Sequence, residues 1–456
     1  MIATTDPTTG RELERFDETS PAEVERALDE AASAFRQWRA RPLPARCELV
    51  RRAAASLDAH RPELARLITL EMGKTLREAS AEVAKCALAC RWFADRAPEL
   101  LAAQAHPSEA GESYVEFPPL GVVLAVMPWN FPFWQVFRFA APALVAGNVA
   151  LLKHASNVPR CALAIERVFA EAGFARGVFR TLLLDGAHAE ALVDDPRVAA
   201  LTLTGSAQVG AQLARRSGGA LKKAVLELGG SDPFVVLADA DVEEAARVAV
   251  RARFQNAGQS CIAAKRFIVE APVHERFLEA FTVRARGLVA GDPLEEETDL
   301  GPLARSDLRD ALEDQVRRSI DAGARVVLRG GPLDRPGWFY APTVLAGVQP
   351  GMAVFDEETF GPVAAVVRAG DEGEAVALAN RTEYGLGANL WTRDLERAKR
   401  LAPRLEAGNV FVNGMVASTP SLPFGGIKHS GWGRELSGYG LREFTNVQTV
   451  WIGPAR

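Results

Sequence analysis

The chain has 456 residues, of which 48% are hydrophobic and 24% charged, and its formal net charge is −5. This length predicts roughly three domain-sized units, with a core large enough to need neither disulfides nor a structural metal. The mildly acidic charge, without a basic block, argues against nucleic acid as a partner.

The N-terminus and the most apolar segment argue against secretion and against membrane insertion. Residues 1–20 contain no apolar run of the signal-peptide kind. The apolar stretch 133–152 is interrupted by Arg138, Pro142 and Asn148, which favours a core segment over a membrane span. The five cysteines lack the spacing of zinc sites. The sequence therefore predicts a cytoplasmic protein without a metal centre.

Helical patterns dominate the first hundred residues. Ser20 and Glu23 have the spacing of a capping box at the start of an amphipathic helix. Further helical periodicity covers residues 45–59 and 62–101.

Strand-like runs and helices then alternate. Apolar runs at 121–128 and 148–154 flank one helical stretch, and runs at 200–205 and 223–230 flank another. Such alternation predicts βαβ units around a parallel sheet. A second alternating block covers residues 233–425.

The stretch FQNAGQSCIAAKRF raises the question of what Cys261 does. The cysteine follows a run of small and amide residues, Gln255 to Ser260, where the chain can turn and leave backbone N–H groups free. Structural cysteines usually lie among apolar neighbours, where the thiol packs as a small hydrophobic group. These surroundings favour a nucleophile.

Two strand ends could bind a nucleotide. Gly205 and Ser206 follow a strand at a predicted helix N-terminus, which favours phosphate, although an ordinary βα turn has the same pattern. Lys153 closes another strand, where it points into the ligand crevice of an α/β sheet or into solvent.

Two further polar residues could take part in catalysis. Glu227 ends an apolar strand, so burial could raise its pKa towards that of a general base, or it could cap a loop. Asn130 lies between Trp129 and Phe131, where its amide could donate to an oxyanion or cap a turn. Spacing alone does not join these residues into one site.

Six motifs together resemble the NAD(P)-dependent aldehyde dehydrogenase superfamily, in that family's order. They are MPWNFP, LTLTGS, LELGGSDPF, NAGQSC, EETFGPV and LPFGGIKHSGWGRE, and the resemblance extends from about residue 7 to residue 451. The stretches LLKHASNVP, LELGGSDPF and AAKRFIVE look closest to the bacterial short-type succinate-semialdehyde dehydrogenases. The resemblance implies an α/β fold with two Rossmann-like, doubly wound domains and a small β oligomerisation arm.

The same resemblance implies a reaction and its alternatives. The expected activity is NAD(P)-dependent oxidation of succinate semialdehyde to succinate through a thiohemiacetal and a thioester on the cysteine. One alternative is the dehydrogenation of another aldehyde, such as glutarate semialdehyde or an aliphatic or aromatic aldehyde. A more distant alternative is a cysteine hydrolase, which would need a histidine partner. None of the six histidines lies in a catalytic-looking motif.

By this resemblance, three residues carry the chemistry, and six residues together with Ser156 bind NAD or NADP. Cys261 matches the nucleophile, Glu227 the general base of deacylation, and Asn130 the side-chain half of an oxyanion hole completed by the Cys261 N–H. We expect the site to lower the pKa of Cys261 below the value of about 8.5 for a free cysteine. The residues that match the cofactor site are Trp129, Lys153, Gly205, Ser206, Glu358 and Phe360.

Two departures from the family pattern bear on specificity. Ser156 occupies a position where many NAD-preferring members carry a glutamate, and a serine would not repel a 2′-phosphate, so we expect NADP to be accepted. Arg138 and Ser418 match residues that bind a distal carboxylate, but Gln255 stands where a second arginine is expected. An amide supplies no charge-assisted pair. We expect Arg138→Ala to raise KM for succinate semialdehyde far more than for an uncharged aldehyde.

The predicted domains follow the family plan. Residues 1–112 with 118–230 form the cofactor domain and 231–429 the catalytic domain. Residues 113–117 with 430–456 form the arm. Because the strand-like end of the tail can extend a neighbour's sheet, we expect a homodimer or homotetramer that acts on a small aldehyde.

Overall fold

The computed structural model describes residues 1–453, in which helices and strands alternate over most of the chain. In chain order, the α-helices of this range are α1 (Pro21–Ala40), α2 (Leu43–Ala59), α3 (Arg61–Met72), α4 (Leu76–Leu100), α5 (Trp134–Ala146), α6 (Pro159–Glu171), α7 (Gly186–Ala191), α8 (Ala207–Gly219), α9 (Val242–Phe254), α10 (His274–Arg286), α11 (Ser306–Asp321), α12 (Ala353–Asp356), α13 (Glu372–Asn380), α14 (Leu395–Leu401) and α15 (Ser437–Arg442). The strands are β1 (Ile2–Asp6), β2 (Arg11–Phe16), β3 (Gln104–Ala105), β4 (Glu112–Glu116), β5 (Val122–Met127), β6 (Val149–His154), β7 (Phe179–Thr181), β8 (Val198–Thr204), β9 (Lys223–Glu227), β10 (Asp232–Val236), β11 (Ala264–Glu270), β12 (Arg325–Leu328), β13 (Gly331–Pro332), β14 (Tyr340–Ala341), β15 (Thr343–Ala346), β16 (Val363–Ala369), β17 (Tyr384–Gly385), β18 (Gly387–Trp391), β19 (Asn409–Val412), β20 (Ile427–Lys428), β21 (Gly431–Trp432) and β22 (Gln448–Ile452).

The first helix begins where the sequence predicts. Ser20 caps α1, and its side chain accepts from the Glu23 N–H while the Glu23 carboxylate accepts from the Ser20 N–H, which completes the capping box. The predicted helical segment 62–101 is two helices, because Gly73 adopts a left-handed conformation and ends α3.

The first large sheet has the order β21-β9-β8-β5-β6-β7. All its pairs are parallel except β21 with β9. Within this sheet, β5 is the first strand in the chain. The next two strands, β6 and β7, lie on one side of it, and the following two, β8 and β9, lie on the other side. This reversal between β5 and β8 is the switch point at which doubly wound sheets bind ligands, and the predicted parallel α/β architecture is confirmed.

The second large sheet has the order β12-β15-β16-β11-β10-β18-β19, and only β12 runs antiparallel to its neighbour. Here β10 lies between β11 and β18, so the direction of strand addition reverses again. The two sheets belong to two separate hydrophobic cores. Cys261 and Phe360, although they lie in the second alternating block of the sequence, pack against the core of the first sheet. The segment around Cys261 therefore lies where the two cores meet.

A third, antiparallel sheet of β22, β4 and β3 contains the predicted arm segment 113–117. It also takes in Gln104–Ala105, which we assigned to the cofactor domain. Gly431–Trp432, which we assigned to the arm, pairs instead with β9 of the first sheet, and α15 packs against α5. Of the predicted tail 430–456, residues 454–456 lie outside the described residues.

An N-terminal hairpin, β1 with β2, was not predicted. The second of its strands, Arg11–Phe16, is almost wholly exposed and has no apolar alternation from which a strand could be inferred. None of the helices within residues 1–453 is long and apolar enough to cross a membrane.

Candidate active site

The loop before Cys261 has an unusual backbone. Asn256, Ala257 and Gly258 all have positive φ angles, of 57°, 51° and 74°. Such a conformation is tolerated by glycine but costs an alanine on the order of 1–3 kcal/mol. At Gly258 a side chain would also lie 2.4 Å from the carbonyl oxygen of Gly361. The loop therefore needs strong restraints from its surroundings.

Side-chain amides supply those restraints. The Asn256 N–H donates to Glu78 Oε1 at 2.7 Å, and Asn256 Nδ2 donates to the carbonyls of Asn130 and Gln259, each at 2.9 Å. The Gln259 side chain in turn accepts from the Ala304 N–H at 2.9 Å. The polar residues of FQNAGQSC thus hold the turn that presents the cysteine.

Cys261 is partly exposed and lies just before β11. Its carbonyl oxygen accepts from Lys265 Nζ at 2.8 Å. Burial raises the pKa of the thiol to about 12, while Arg138 and Lys265 act in the opposite direction. The expectation of a lowered pKa is therefore wrong for this structure, because desolvation outweighs the two nearby cations.

Asn130 lies in the loop between β5 and α5 and is buried. Its Nδ2 donates to the carbonyl of Gln259 at 3.1 Å, so its amide lies beside the backbone that leads into Cys261. The structure thus brings Asn130 to the cysteine loop, and a side-chain amide has a second N–H that can donate elsewhere.

Glu227 ends β9 and is almost completely buried. Neither carboxylate oxygen has a hydrogen-bond partner within residues 1–453, and a side chain on Gly425 would lie 2.9 Å from Oε1. Burial raises the pKa of Glu227 well above its usual value, while Arg138 lowers it. Burial in this position therefore favours the protonated form of the carboxyl.

Arg138, on α5, is buried with only 2% of its side chain exposed, and it forms an ion pair with the equally buried Glu435. Its NH2 group also donates to Thr204 Oγ1 at 3.4 Å, and its guanidinium lies 4.9 Å from the centroid of the Phe424 ring. The sequence assigned Arg138 to a substrate carboxylate, but its charge is already matched by a carboxylate of the protein.

Two connected cavities lead to the cysteine. The inner cavity, of about 90 Å³, is lined by Lys85, Phe131, Trp134, Gln135, Arg138, Ala252, Gln255, Ser260, Cys261, Ile262, Ala263, Met415, Val416, Ala417, Ser418 and Phe424. The outer cavity, of about 820 Å³, shares with it Lys85, Phe131, Trp134, Gln255, Met415 and Ala417. Every residue lining the inner cavity lies within residues 1–453 and none is a histidine, which argues against a cysteine hydrolase.

The predicted substrate residues all line the inner cavity, but in different ways. Gln255 is exposed, whereas Ser418 is buried. The Ser418 hydroxyl accepts from Lys85 Nζ and from Trp134 Nε1, each at 3.0 Å. Lys85 was not predicted from the sequence, although its position three residues after Glu82, on the partly buried side of α4, could have identified it.

The predicted nucleotide residues lie at the carboxyl ends of the first sheet. Lys153 is the penultimate residue of β6, and Ser156 lies in the loop after that strand, where it is exposed. Ser206 caps α8 with its side chain, as predicted for a helix N-terminus, and the Gly205 N–H donates to the Glu227 carbonyl at 3.0 Å. Burial lowers the pKa of Lys153, and the nearby Asp185 raises it. An ammonium and a helix N-terminus at the switch point suit the phosphates and hydroxyls of a dinucleotide.

Glu358 connects the turn after β9, at Gly230, with Lys265 on β11. Its Oε1 accepts from the Gly230 N–H at 3.0 Å and lies 3.7 Å from Lys265 Nζ. A side chain on Gly229 would lie 2.5 Å from Glu358 Oε2, so the carboxylate would have to shift to make room for it. The rings of Trp129 and Phe360 meet edge to face, with their centroids 5.7 Å apart. A carboxylate and an aromatic pair are groups that suit the ribose and the ring of a nicotinamide.

Comparisons with known proteins show what the whole chain is similar to. The model of the aldehyde dehydrogenase family matches residues 1–450. The chain is 52% identical over 451 residues to a Synechocystis protein named "Probable succinate-semialdehyde dehydrogenase, NADP(+)", covering 99% of each. It is 49% identical over 461 residues to the Mycobacterium avium succinate-semialdehyde dehydrogenase, NADP(+), covering 100% of this chain and 97% of the relative.

A solved structure is similar over its whole length. It is the succinic semialdehyde dehydrogenase of Streptococcus pyogenes in complex with NADP+, with a TM-score of 0.97, 37% sequence identity and full coverage of both chains. The similar fold, the sequence motifs and the named relatives all point to the same family.

Proposed function

The chain belongs to the aldehyde dehydrogenase family, and we propose that it oxidises succinate semialdehyde to succinate with NADP as the electron acceptor. The observation that carries this proposal is that Cys261 and the cations Lys85 and Arg138 line one cavity. The Asn130 amide contacts the cysteine loop, and the buried Glu227 carboxyl lies close enough to act on the pKa of Cys261. The relatives named above share the proposed substrate and cofactor.

Cys261 is the proposed nucleophile. Its sulfur adds to the aldehyde carbon to form a thiohemiacetal, and the thiol proton must leave for the thiolate to attack. Arg138 and Lys265 favour the thiolate against the effect of burial. The Asn130 amide and the Cys261 N–H stabilise the developing oxyanion, and the loss of one such donor typically costs on the order of 2.7–4 kcal/mol.

The proposed cofactor residues are those at the edge of the first sheet together with Glu358. Lys153 and Ser156 would hold the adenosine ribose, Ser206 at the α8 N-terminus the pyrophosphate, and Glu358 the nicotinamide ribose. A nicotinamide held there would supply the acceptor for the hydride that the thiohemiacetal must lose, together with its hydroxyl proton, to become the thioester on Cys261. Because a serine leaves room and hydrogen-bonding capacity for a 2′-phosphate where a carboxylate would repel it, Ser156 supports NADP.

Glu227 is the proposed base for the second half of the reaction. Water attacks the thioester, the carboxylate takes a proton from that water, and the thiol of Cys261 is released with the acid. Because burial raises the pKa of Glu227, the residue can accept a proton readily once it is ionised.

Initial rates of NADPH and NADH formation test the proposal. The purified protein is given succinate semialdehyde and, in parallel, butyraldehyde, which has the same carbon chain but no carboxylate. A kcat/KM advantage of about tenfold or more for the semialdehyde, equivalent to about 1.4 kcal/mol, is expected, with NADPH formed faster than NADH. Equal rates for the two aldehydes would reject the substrate, and Cys261→Ala is the control for cysteine-dependent turnover.

We also propose that the protein is a homodimer or homotetramer. The arm sheet ends in β22, whose Trp451 and Ile452 are 52% and 46% exposed, and a strand edge with large apolar side chains suits pairing with a second copy. Light scattering at micromolar concentration is expected to give at least twice the mass of the chain, and a monomer would reject the assignment.

A further inference from the structure

Lys85 places an ammonium group in the path to the cysteine. It lies on α4 and lines both the inner and the outer cavity. Its Nζ donates to Ser418 Oγ at 3.0 Å and lies 4.1 Å from the centroid of the Trp134 ring. The indole and the hydroxyl thus fix the direction in which the ammonium points.

The charge of Lys85 is not matched by a carboxylate. Within residues 1–453 Lys85 forms no ion pair, and its nearest acidic neighbour on the helix, Glu82, is engaged elsewhere. Glu82 pairs with Lys74 at 2.6 Å and accepts from the N–H groups of Phe133 and Trp134 at the start of α5. A desolvated ammonium without a counterion is a binding site for an anion.

The Ser418 hydroxyl has a proton to give to the same anion. Its oxygen accepts from both Lys85 and Trp134. A hydroxyl has two acceptor positions and one O–H donor. Because both acceptor positions are used, the O–H is left to donate, and a carboxylate is the acceptor that a neighbouring ammonium would attract.

Arg138, the other cation of the inner cavity, is less suited to this role. It is buried, and its ion pair with Glu435 takes up its charge. Gln255 is uncharged. Lys85 is therefore the cation of the inner cavity whose charge is available to a ligand.

We propose that Lys85, together with the Ser418 hydroxyl, binds the distal carboxylate of the substrate. This inference rests on the proposed function, since it names the group that distinguishes a semialdehyde from a plain aldehyde. It assigns the carboxylate to Lys85 instead of Arg138 and accounts for a carboxylate site without an arginine at position 255.

Steady-state kinetics of Lys85→Met and Lys85→Arg test this inference, with succinate semialdehyde and butyraldehyde as the two substrates. Methionine keeps an unbranched side chain without the charge, and arginine keeps the charge. For Lys85→Met we expect kcat/KM for the semialdehyde to fall by about tenfold or more, mainly through KM, while kcat/KM for butyraldehyde stays near the wild-type value. Lys85→Arg should retain the preference for the semialdehyde.

A double variant that moves the positive charge to another position in the cavity makes the test sharper. Gln255 lines the same two cavities as Lys85, so Lys85→Met combined with Gln255→Arg returns a cation to the cavity from another position. We expect this double variant to recover part of the preference for the semialdehyde. Butyraldehyde turnover reports that each variant is folded.

The outcomes separate the two proposals. If the wild-type protein prefers the semialdehyde and Lys85→Met keeps that preference, or loses activity equally on both aldehydes, Lys85 does not bind the carboxylate, and the proposed function stands. If the wild-type protein has no preference, the substrate assignment itself fails.

Discussion

Two buried or half-buried cations, Arg138 and Lys85, line the inner cavity, and they differ in what surrounds them. We call their surroundings the Arg138 end and the Lys85 end. At one end Arg138 is buried against Glu435, Glu227 and the Phe424 ring. At the other end Lys85 meets a hydroxyl and an indole, with no carboxylate pair within residues 1–453. A cation that is already paired sets the electrostatics of its neighbours, whereas an unpaired cation is free to pair with a ligand. We therefore expect the Arg138 end to govern chemistry with every aldehyde, and the Lys85 end to govern which aldehyde binds.

Glu227→Gln should produce the largest change in rate, and it tests the Arg138 end alone. Loss of a general base typically costs 10²–10⁴-fold in rate, so we expect kcat to fall by about that factor with both aldehydes. Stopped-flow measurement of NADPH should show a burst of about one equivalent per site, since acylation of Cys261 does not need the base of deacylation.

Protein stability provides the control for this variant. Because burial raises the pKa of Glu227, folding favours the protonated carboxyl, and its contribution is lost as the pH rises above the unfolded value. The neutral glutamine should therefore unfold at a urea concentration equal to or higher than the wild type at neutral pH. A variant without a burst, or one that slows only the semialdehyde, would contradict the division between the two ends.

Arg138→Met should destabilise the protein by about 3–5 kcal/mol, because it leaves the Glu435 carboxylate buried without a partner. Arg138 also lowers the pKa of Glu227, so its loss should slow turnover of both aldehydes by a similar factor. Urea unfolding and the ratio of kcat/KM for the two aldehydes check these two effects.

The matched control for Arg138 is the double variant with Glu435→Gln, which removes both charges. We expect it to recover much of the lost stability. If Arg138→Met instead abolishes the preference for the semialdehyde and leaves stability unchanged, Arg138 binds the substrate, as the sequence first suggested, and the comparison between the two ends fails.

The sequence predicted the parts of this molecule that depend on local patterns. The βαβ units follow from apolar runs and turns that alternate within short windows, and the capping of α8 by Ser206 follows from the residue type after a strand. The motifs around Cys261, Glu227 and Asn130 identified three residues that the fold brings to one region.

What the sequence could not predict depends on contacts between distant residues. Lys85 and Ser418 are 333 residues apart in the chain, and nothing in either segment identifies the other as its partner. Likewise, the family resemblance assigned Arg138 to the substrate, and nothing near Arg138 in the sequence points to Glu435 as its partner. The left-handed turn at Ala257 could not be inferred either, because an alanine adopts it only when surrounding hydrogen bonds impose it.

The dependence of substrate preference on pH should be the smallest effect, and it examines the Lys85 end alone. Burial lowers the pKa of Lys85 to about 8, and Arg138 and Lys74 act in the same direction, while Cys86 and Glu82 raise it. Below that value the ammonium is charged and binds the carboxylate, and above it the neutral amine does not. The ratio of kcat/KM for succinate semialdehyde to that for butyraldehyde should therefore be flat at low pH and fall, by at most about tenfold per pH unit, above about pH 8. Taking the ratio cancels the titration of Cys261 and Glu227, which both aldehydes share. In Lys85→Arg the fall should disappear, because a guanidinium stays protonated over this range, whereas an unchanged fall in that variant would assign the titration to another group.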